Sequence, residues 1–112
     1  ASRASGDPGH ALWARDFTGA GAVFSMLLDP RHAANLPAFL ENCDLFRIGA
    51  SWGGLHSLFA PADMSVLRDP DQWADAGPLV RIGVGLEALE DLQRDLARGL
   101  ARYRGAARDA AE

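Results

Sequence analysis

The chain has 112 residues and a formal charge of −4, from 11 arginines, no lysine and 15 acidic side chains, and at this length it makes one domain that buries roughly 60 to 70% of its unfolded surface. The arginines form no stripe that would collect phosphates, which argues against a nucleic-acid partner. No apolar run approaches the roughly 20 residues that cross a bilayer, and the N-terminus lacks the apolar heart of a signal peptide, so a soluble, cytoplasmic protein without membrane contact is expected.

Residues 1–9, with Gly6, Pro8 and Gly9 among small polar residues, read as a linker or flexible lead. Residues 10–104 read as the folded domain and residues 105–112 as a frayed tail. Residues 22–28 (AVFSMLL) follow Gly19-Ala20-Gly21 and suit a largely buried strand. Asp29 is placed to cap a helical turn with Pro30 at its first position, and Asn35 to cap a second start with Pro37 in its first turn. That helix is expected to reach about Cys43, with Leu36, Phe39, Leu40 and Cys43 on one face. Cys43 is the single cysteine, which rules out an internal disulfide, and a buried inert thiol is expected.

Residues 45–50 read as strand, Gly53-Gly54 as a break, and residues 56–59 as a short strand terminated by Pro61. A Pro- and Asp-rich loop follows as far as Gly77. Residues 79–84 make the strongest strand. The helix after it carries Leu86, Leu89, Leu92, Leu96, Leu100 and Tyr103 along one stripe, with Glu90 and Arg94 paired at i,i+4 on the opposite side. Strand, helix, three strands and a long helix predict an α+β domain with helices on one sheet face.

Two segments invite chemistry. In the strand at 79–84, alternation puts Val80, Ile82 and Val84 on one face and Arg81, Gly83 and Gly85 on the other. Two residues without side chains beside Arg81 leave room for a ligand to meet the guanidinium, and a carboxylate suits it. The alternative is an ion pair between Arg81 and an acid on a neighbouring strand. The second segment is SWGG at 51–54, where Ser51 and Trp52 precede glycines that allow close backbone approach; here the alternative is an ordinary turn around a core tryptophan. His10, His32 and His56 are too scattered to suggest a metal site. Without lysine, no side-chain amine of this chain can form a Schiff base with a carbonyl.

At these same residues the chain resembles the transsulfuration family of pyridoxal-phosphate enzymes. The matching blocks are Gly9-His10, Trp13, Arg15-Asp16-Phe17, GAGAVFSMLL at 19–28, SWGG at 51–54, Ser57-Leu58 and LVRIGVGLEALEDL at 79–92. The resemblance implies the small C-terminal domain of a fold-type I enzyme, with a mostly antiparallel sheet and helices packed on one face. It implies that Arg81 binds the α-carboxylate of an amino-acid substrate, and that Ser51 and Trp52 line the substrate site, Ser51 also touching the cofactor.

Within the family, Trp at position 52 resembles the cystathionine β-lyases, since γ-synthases and γ-lyases usually carry Leu there. Implied chemistry is therefore α,β-elimination of cystathionine to homocysteine, pyruvate and ammonia. Two departures bear on the far end of the substrate: Ala50 stands where relatives often have Tyr or Glu, and His56 where Glu is usual. The alternatives are a γ-synthase or γ-lyase domain, or a non-catalytic module that binds amino acids. The family's Schiff-base lysine, pyridinium aspartate and phosphate-binding residues belong to a larger preceding domain, so this chain alone is expected to be inactive, with that large domain as its partner and a homo-oligomer, a tetramer, as the assembly.

Overall fold

A computed structural model of the protein describes residues 6–63, 69–73 and 76–105. Most of the expected tail at 105–112, the first five residues of the lead and parts of the Pro- and Asp-rich loop lie outside the described residues. Helix α1 (His10–Asp16) precedes β1 (Val23–Leu27), a 3-10 helix (Pro30–Asn35) that runs into α2 (Leu36–Leu40), β2 (Arg47–Ile48), β3 (Leu58–Ala62), the short α3 (Pro70–Trp73), β4 (Leu79–Gly83) and α4 (Leu89–Tyr103). The strands lie in the order β1-β4-β3-β2. Both β4 contacts are antiparallel and β2 runs parallel to β3, so the expected α+β architecture with a mostly antiparallel sheet is borne out.

The core forms where the branched face of β4 meets α2 and α4. Phe59, Val80 and Ile82 are fully buried on that face, and Phe39, Leu40, Cys43, Leu92 and Tyr103 close over them. The Phe59 ring stacks on Phe46 at 4.5 Å and meets Phe39 edge-on at 5.1 Å, both within the range in which aromatic pairs add to area burial. Burying three such rings and two branched residues is what drives the helices onto this face.

Local departures from the sequence reading have local causes. Asp29 caps as expected, accepting from Arg31 N at 2.9 Å. Asn35 does not cap; its Nδ2 donates to Tyr103 O at 2.8 Å and ties the start of α2 to the end of α4. Helix α2 stops at Leu40 rather than Cys43 because other groups take the backbone over. Asn42 Nδ2 bonds back to Ala38 O at 2.8 Å, and the buried Asp95 carboxylate accepts from Asp44 N, Leu45 N and Phe46 N at 2.8, 2.8 and 3.1 Å. That claim on Leu45 and Phe46 also shortens β2 to Arg47–Ile48.

Pro61 does not end β3 but lies within it, opposite Val80. The Phe59 carbonyl accepts from Gly49 N, so the backbone groups of residues 59 and 61 point toward β2. At 61 that strand has already ended, and the absent N–H costs no ladder bond.

Strand β1 sits at a sheet edge instead of being largely buried: Val23, Phe24 and Leu27 are all exposed. Leu86 and Leu89 are also exposed, and the packed stripe of α4 begins only at Leu92. Arg94 pairs with Asp91 at 3.2 Å, not with Glu90. No helix among the described residues is long and apolar enough to cross a membrane.

Candidate functional site

The sheet face away from α2 and α4 carries the groups singled out in the sequence. On it, Arg81 lies between Ser25 of β1 and Ala60 of β3, and Gly83 between Val23 and Leu58. An acidic neighbour for Arg81 is therefore lacking on both flanking strands, and no ion pair to it is found among the described residues. What meets Arg81 instead is the turn after β2. Its Nη2 donates to the Ala50 carbonyl, and its Cζ lies 5.1 Å from the centroid of the Trp52 ring.

Gly83 makes room for that turn. A Cβ there would lie 3.4 Å from Trp52 Cβ and 3.9 Å from Ser51 O, so any longer side chain would press the turn off the strand. Gly53 takes φ +79, a backbone region open to glycine but costly for other residues. The structure thus brings Ser51, Trp52 and Arg81 together. Trp52 is 61% exposed, which excludes the reading of SWGG as a turn around a core tryptophan. Ser51 is exposed beside it.

A half-buried guanidinium with a single hydrogen-bond partner among the described residues keeps most of its five donors. The Trp52 ring holds the cation from one side. Such a group takes a carboxylate in a bidentate fork. Around it the exposed faces of Val23, Leu27, Trp52 and Leu55 leave an apolar surface that the described residues do not cover.

Two further residues, Ser57 and Glu87, lie in the matching blocks at 57–58 and 79–92, where the sequence attaches no role to either. Ser57 is fully buried; its Oγ donates to Glu87 Oε1 at 2.8 Å and its N to Glu87 Oε2 at 2.9 Å, while Gly85 N donates to Ser57 Oγ at 2.8 Å. Desolvation pushes the Glu87 carboxyl up, but the hydrogen bonds from Ser57 N, its own backbone and the Ser57 hydroxyl outweigh it and hold the group below the usual carboxylate range. Beyond those blocks the sequence signal for their contact is indirect: a serine just before a buried strand and a glutamate just before a helix, thirty residues apart.

A cavity of about 510 Å³ lies elsewhere, against Leu36, Pro61, Trp73 and Leu79. It shares no residue with the Arg81 surface, and the polar groups that would orient a ligand converge at Arg81, so we place the site there.

Comparison with known proteins shows the family. Residues 3–101 match the model of the family described as Cys/Met metabolism PLP-dependent enzyme. The chain is 43% identical over 101 residues to a cystathionine β-lyase of Salmonella typhimurium, covering 87% of this chain and 26% of that one. It is 40% identical over 97 residues to an L-alanine/L-glutamate racemase of Wolbachia pipientis, covering 85% and 24%. The solved structure of cystathionine γ-synthase from Xanthomonas oryzae pv. oryzae in complex with cystathionine superposes with a TM-score of 0.66 at 30% identity, over 93% of this chain and 28% of that one. The chain thus spans about a quarter of the length of the relatives it matches.

Pyridoxal phosphate requires an amine for its aldehyde and donors for its phosphate. The sequence has no lysine, and the Arg81 surface offers one guanidinium and the exposed hydroxyls of Ser25 and Ser51. These residues fit the carboxylate of a substrate lying against the cofactor, not the attachment of the cofactor itself.

Proposed function

Since the chain belongs to the Cys/Met metabolism PLP-dependent enzyme family, we propose that it is the small domain of a carbon-sulfur lyase of the cystathionine β-lyase kind, in which Arg81 holds the substrate α-carboxylate. The observation that carries this is the Arg81 guanidinium, over the Trp52 ring with its carbon 5.1 Å from the centroid, bonded to Ala50 and lacking a carboxylate of its own among the described residues.

When bound, pyridoxal phosphate supplies an electron sink for cleavage at the substrate Cα. The work of this chain is orientation. A bidentate grip on the α-carboxylate fixes rotation of the substrate about its Cα–N bond and so determines which Cα bond faces the cofactor. Trp52 keeps the guanidinium plane in place and shields one side from water, and the Ser51 hydroxyl lines the boundary with the cofactor.

The amine that holds the cofactor comes from a larger domain outside this sequence, and the apolar surface around Val23, Leu27 and Leu55 docks against it. In that arrangement residues 1–9 form the lead from the larger domain, residues 10–104 the small domain and residues 105–112 a tail, within a cytoplasmic homo-oligomer.

Trp52 and the 43% identical β-lyase favour β-elimination. The structural likeness to a γ-synthase supports a second reading, a γ-type enzyme, and Ala50 and His56 leave the distal substrate end open to it. The test is product analysis of the enzyme that carries this chain, supplied with cystathionine and, separately, O-acylhomoserine. Homocysteine with pyruvate is the expected outcome; cysteine with 2-oxobutanoate, or turnover of O-acylhomoserine alone, overturns the β-lyase reading.

A further inference from the structure

We propose that Ser57 and Glu87 are positioning residues for the Arg81 site, latching the end of the turn that carries Trp52 to the end of the strand that carries Arg81. The inference rests on the reading of Arg81 as the carboxylate-binding group.

The turn has little of its own to hold it. Residues 50–56 are exposed, and glycines at 53 and 54 make the backbone soft. Among the described residues the only hydrogen bond to residues 50–54 is the one from Arg81 to Ala50 O. The position of Trp52 is therefore set by the anchors that flank it. On one side Gly49 N bonds to Phe59 O at 2.8 Å.

On the other side the anchor is the latch. One carboxylate takes both the N–H and the O–H of Ser57, and the same hydroxyl receives Gly85 N. Leu86 N adds a bond to Leu55 O at 2.8 Å. The contact is tight enough that a Cβ on Gly85 would lie 2.3 Å from Leu55 O. Ser57 is five residues from Trp52, and Gly85 four from Arg81, so each arm of the latch is short. Removing the Ser57 hydroxyl leaves Gly85 N and one Glu87 oxygen without a partner in a half-buried place, and the turn gains freedom to move off Arg81.

The experiment uses the enzyme that carries this chain, with Ser57→Ala, Glu87→Gln, Arg81→Lys and, as a control of stability alone, Leu100→Ala on the opposite face. Two quantities are read: the split of kcat and KM, and the 19F line of 5-fluorotryptophan at position 52, assigned by its loss in Trp52→Phe. Ser57→Ala is expected to raise KM about tenfold with kcat within about twofold, and to shift or broaden the Trp52 line; Glu87→Gln does the same more weakly. Leu100→Ala lowers the melting temperature and leaves KM and the line as they were.

If Arg81→Lys raises KM while both latch variants keep wild-type KM, the latch is overturned and the carboxylate reading stands. If Arg81→Lys leaves KM unchanged, the carboxylate reading fails, and an unmoved Trp52 line in the latch variants then overturns the latch as well. Should Ser57→Ala not fold, Glu87→Gln carries both readings, because its side chain has the same shape.

Discussion

Arg81 and Trp52 meet on the open face of the sheet, the guanidinium carbon 5.1 Å from the indole centroid, although 29 residues separate them in the chain. The ring is 61% exposed, and the uncharged Ser25 and Ala60 flank the cation. Their contact keeps the guanidinium plane fixed and its donors open.

If that fork grips a carboxylate, lysine is no substitute at position 81, because it keeps the charge and loses the planar pair of donors. A charge-assisted hydrogen bond contributes about 1.5 to 3 kcal/mol, so Arg81→Lys should lower kcat/KM of the enzyme about ten- to a hundredfold. Arg81→Ala should be worse. Melting should change little, because Val80 and Ile82 carry the packing of β4. A kcat/KM within about twofold of wild type in the lysine variant removes the carboxylate role.

Asp95 holds the fold rather than the site. It is 5% exposed and accepts three backbone N–H groups from residues 44–46. Asp95→Ala strands those donors, and the expected cost is about 2 to 4 kcal/mol, read as a lower urea midpoint with an unchanged slope. Asp95→Asn keeps one acceptor and should fall between. Midpoints equal to wild type in both variants would show that water replaces the carboxylate without cost.

The sequence showed the α+β order, the core face of β4 and the Arg81 surface because each rests on short-range periodicity that one strand or helix displays by itself. The role of Asp95 and the contact between Ser57 and Glu87 do not show in the sequence, for the opposite reason. Their partners are backbone groups or side chains thirty or more residues away, and an acid at a helix stripe position reads as a solvent-facing residue until the loop it holds is in view. Pro61 reads as a stop in the sequence because its tolerance depends on where a neighbouring strand ends. The exposure of β1 has a similar origin: seven apolar-rich residues say that a strand forms, not that its partner face lies in this chain.

Cys43 should be inert. Burial, then the Asp95 carboxylate, push its thiol up to about 11 against an ordinary 9.0, with Arg102 offsetting part of the rise. At pH 8 only about one thiol in a thousand is ionised, against about one in ten unperturbed, so the folded protein should react with a disulfide reagent about a hundredfold more slowly than the unfolded one, before steric protection. A raised pKa means that the fold favours the neutral thiol. Its contribution to stability is complete below about pH 9 and is lost as pH rises through about 11. A native thiol that reacts at the unfolded rate contradicts the packing of α2 on α4.

The sharpest test of that packing is Gly99. It is buried in the middle of α4, where a glycine ordinarily costs a helix about 1 kcal/mol relative to alanine, so on propensity alone Gly99→Ala should stabilise. The structure predicts the reverse. A Cβ at this position lies 2.6 Å from both Cδ1 and Cε1 of Phe39 and 3.0 Å from Cys43 Sγ. Phe39 has no room to retreat, being fully buried with Phe59 at 5.1 Å and Tyr103 at 6.3 Å. Overpacking of this kind costs about 1 to 3 kcal/mol and exceeds the helix gain, so a net loss of about 1 kcal/mol and a fall in melting temperature of about 4 to 8 °C are expected. Phe39→Leu should destabilise the wild type by cavity formation yet cost less when combined with Gly99→Ala, because the smaller side chain relieves the clash; a double-mutant cycle reads that coupling directly. A raised melting temperature in Gly99→Ala, or strict additivity in the cycle, would mean that α2 and α4 can move apart without loss and that the glycine is not there for their close approach.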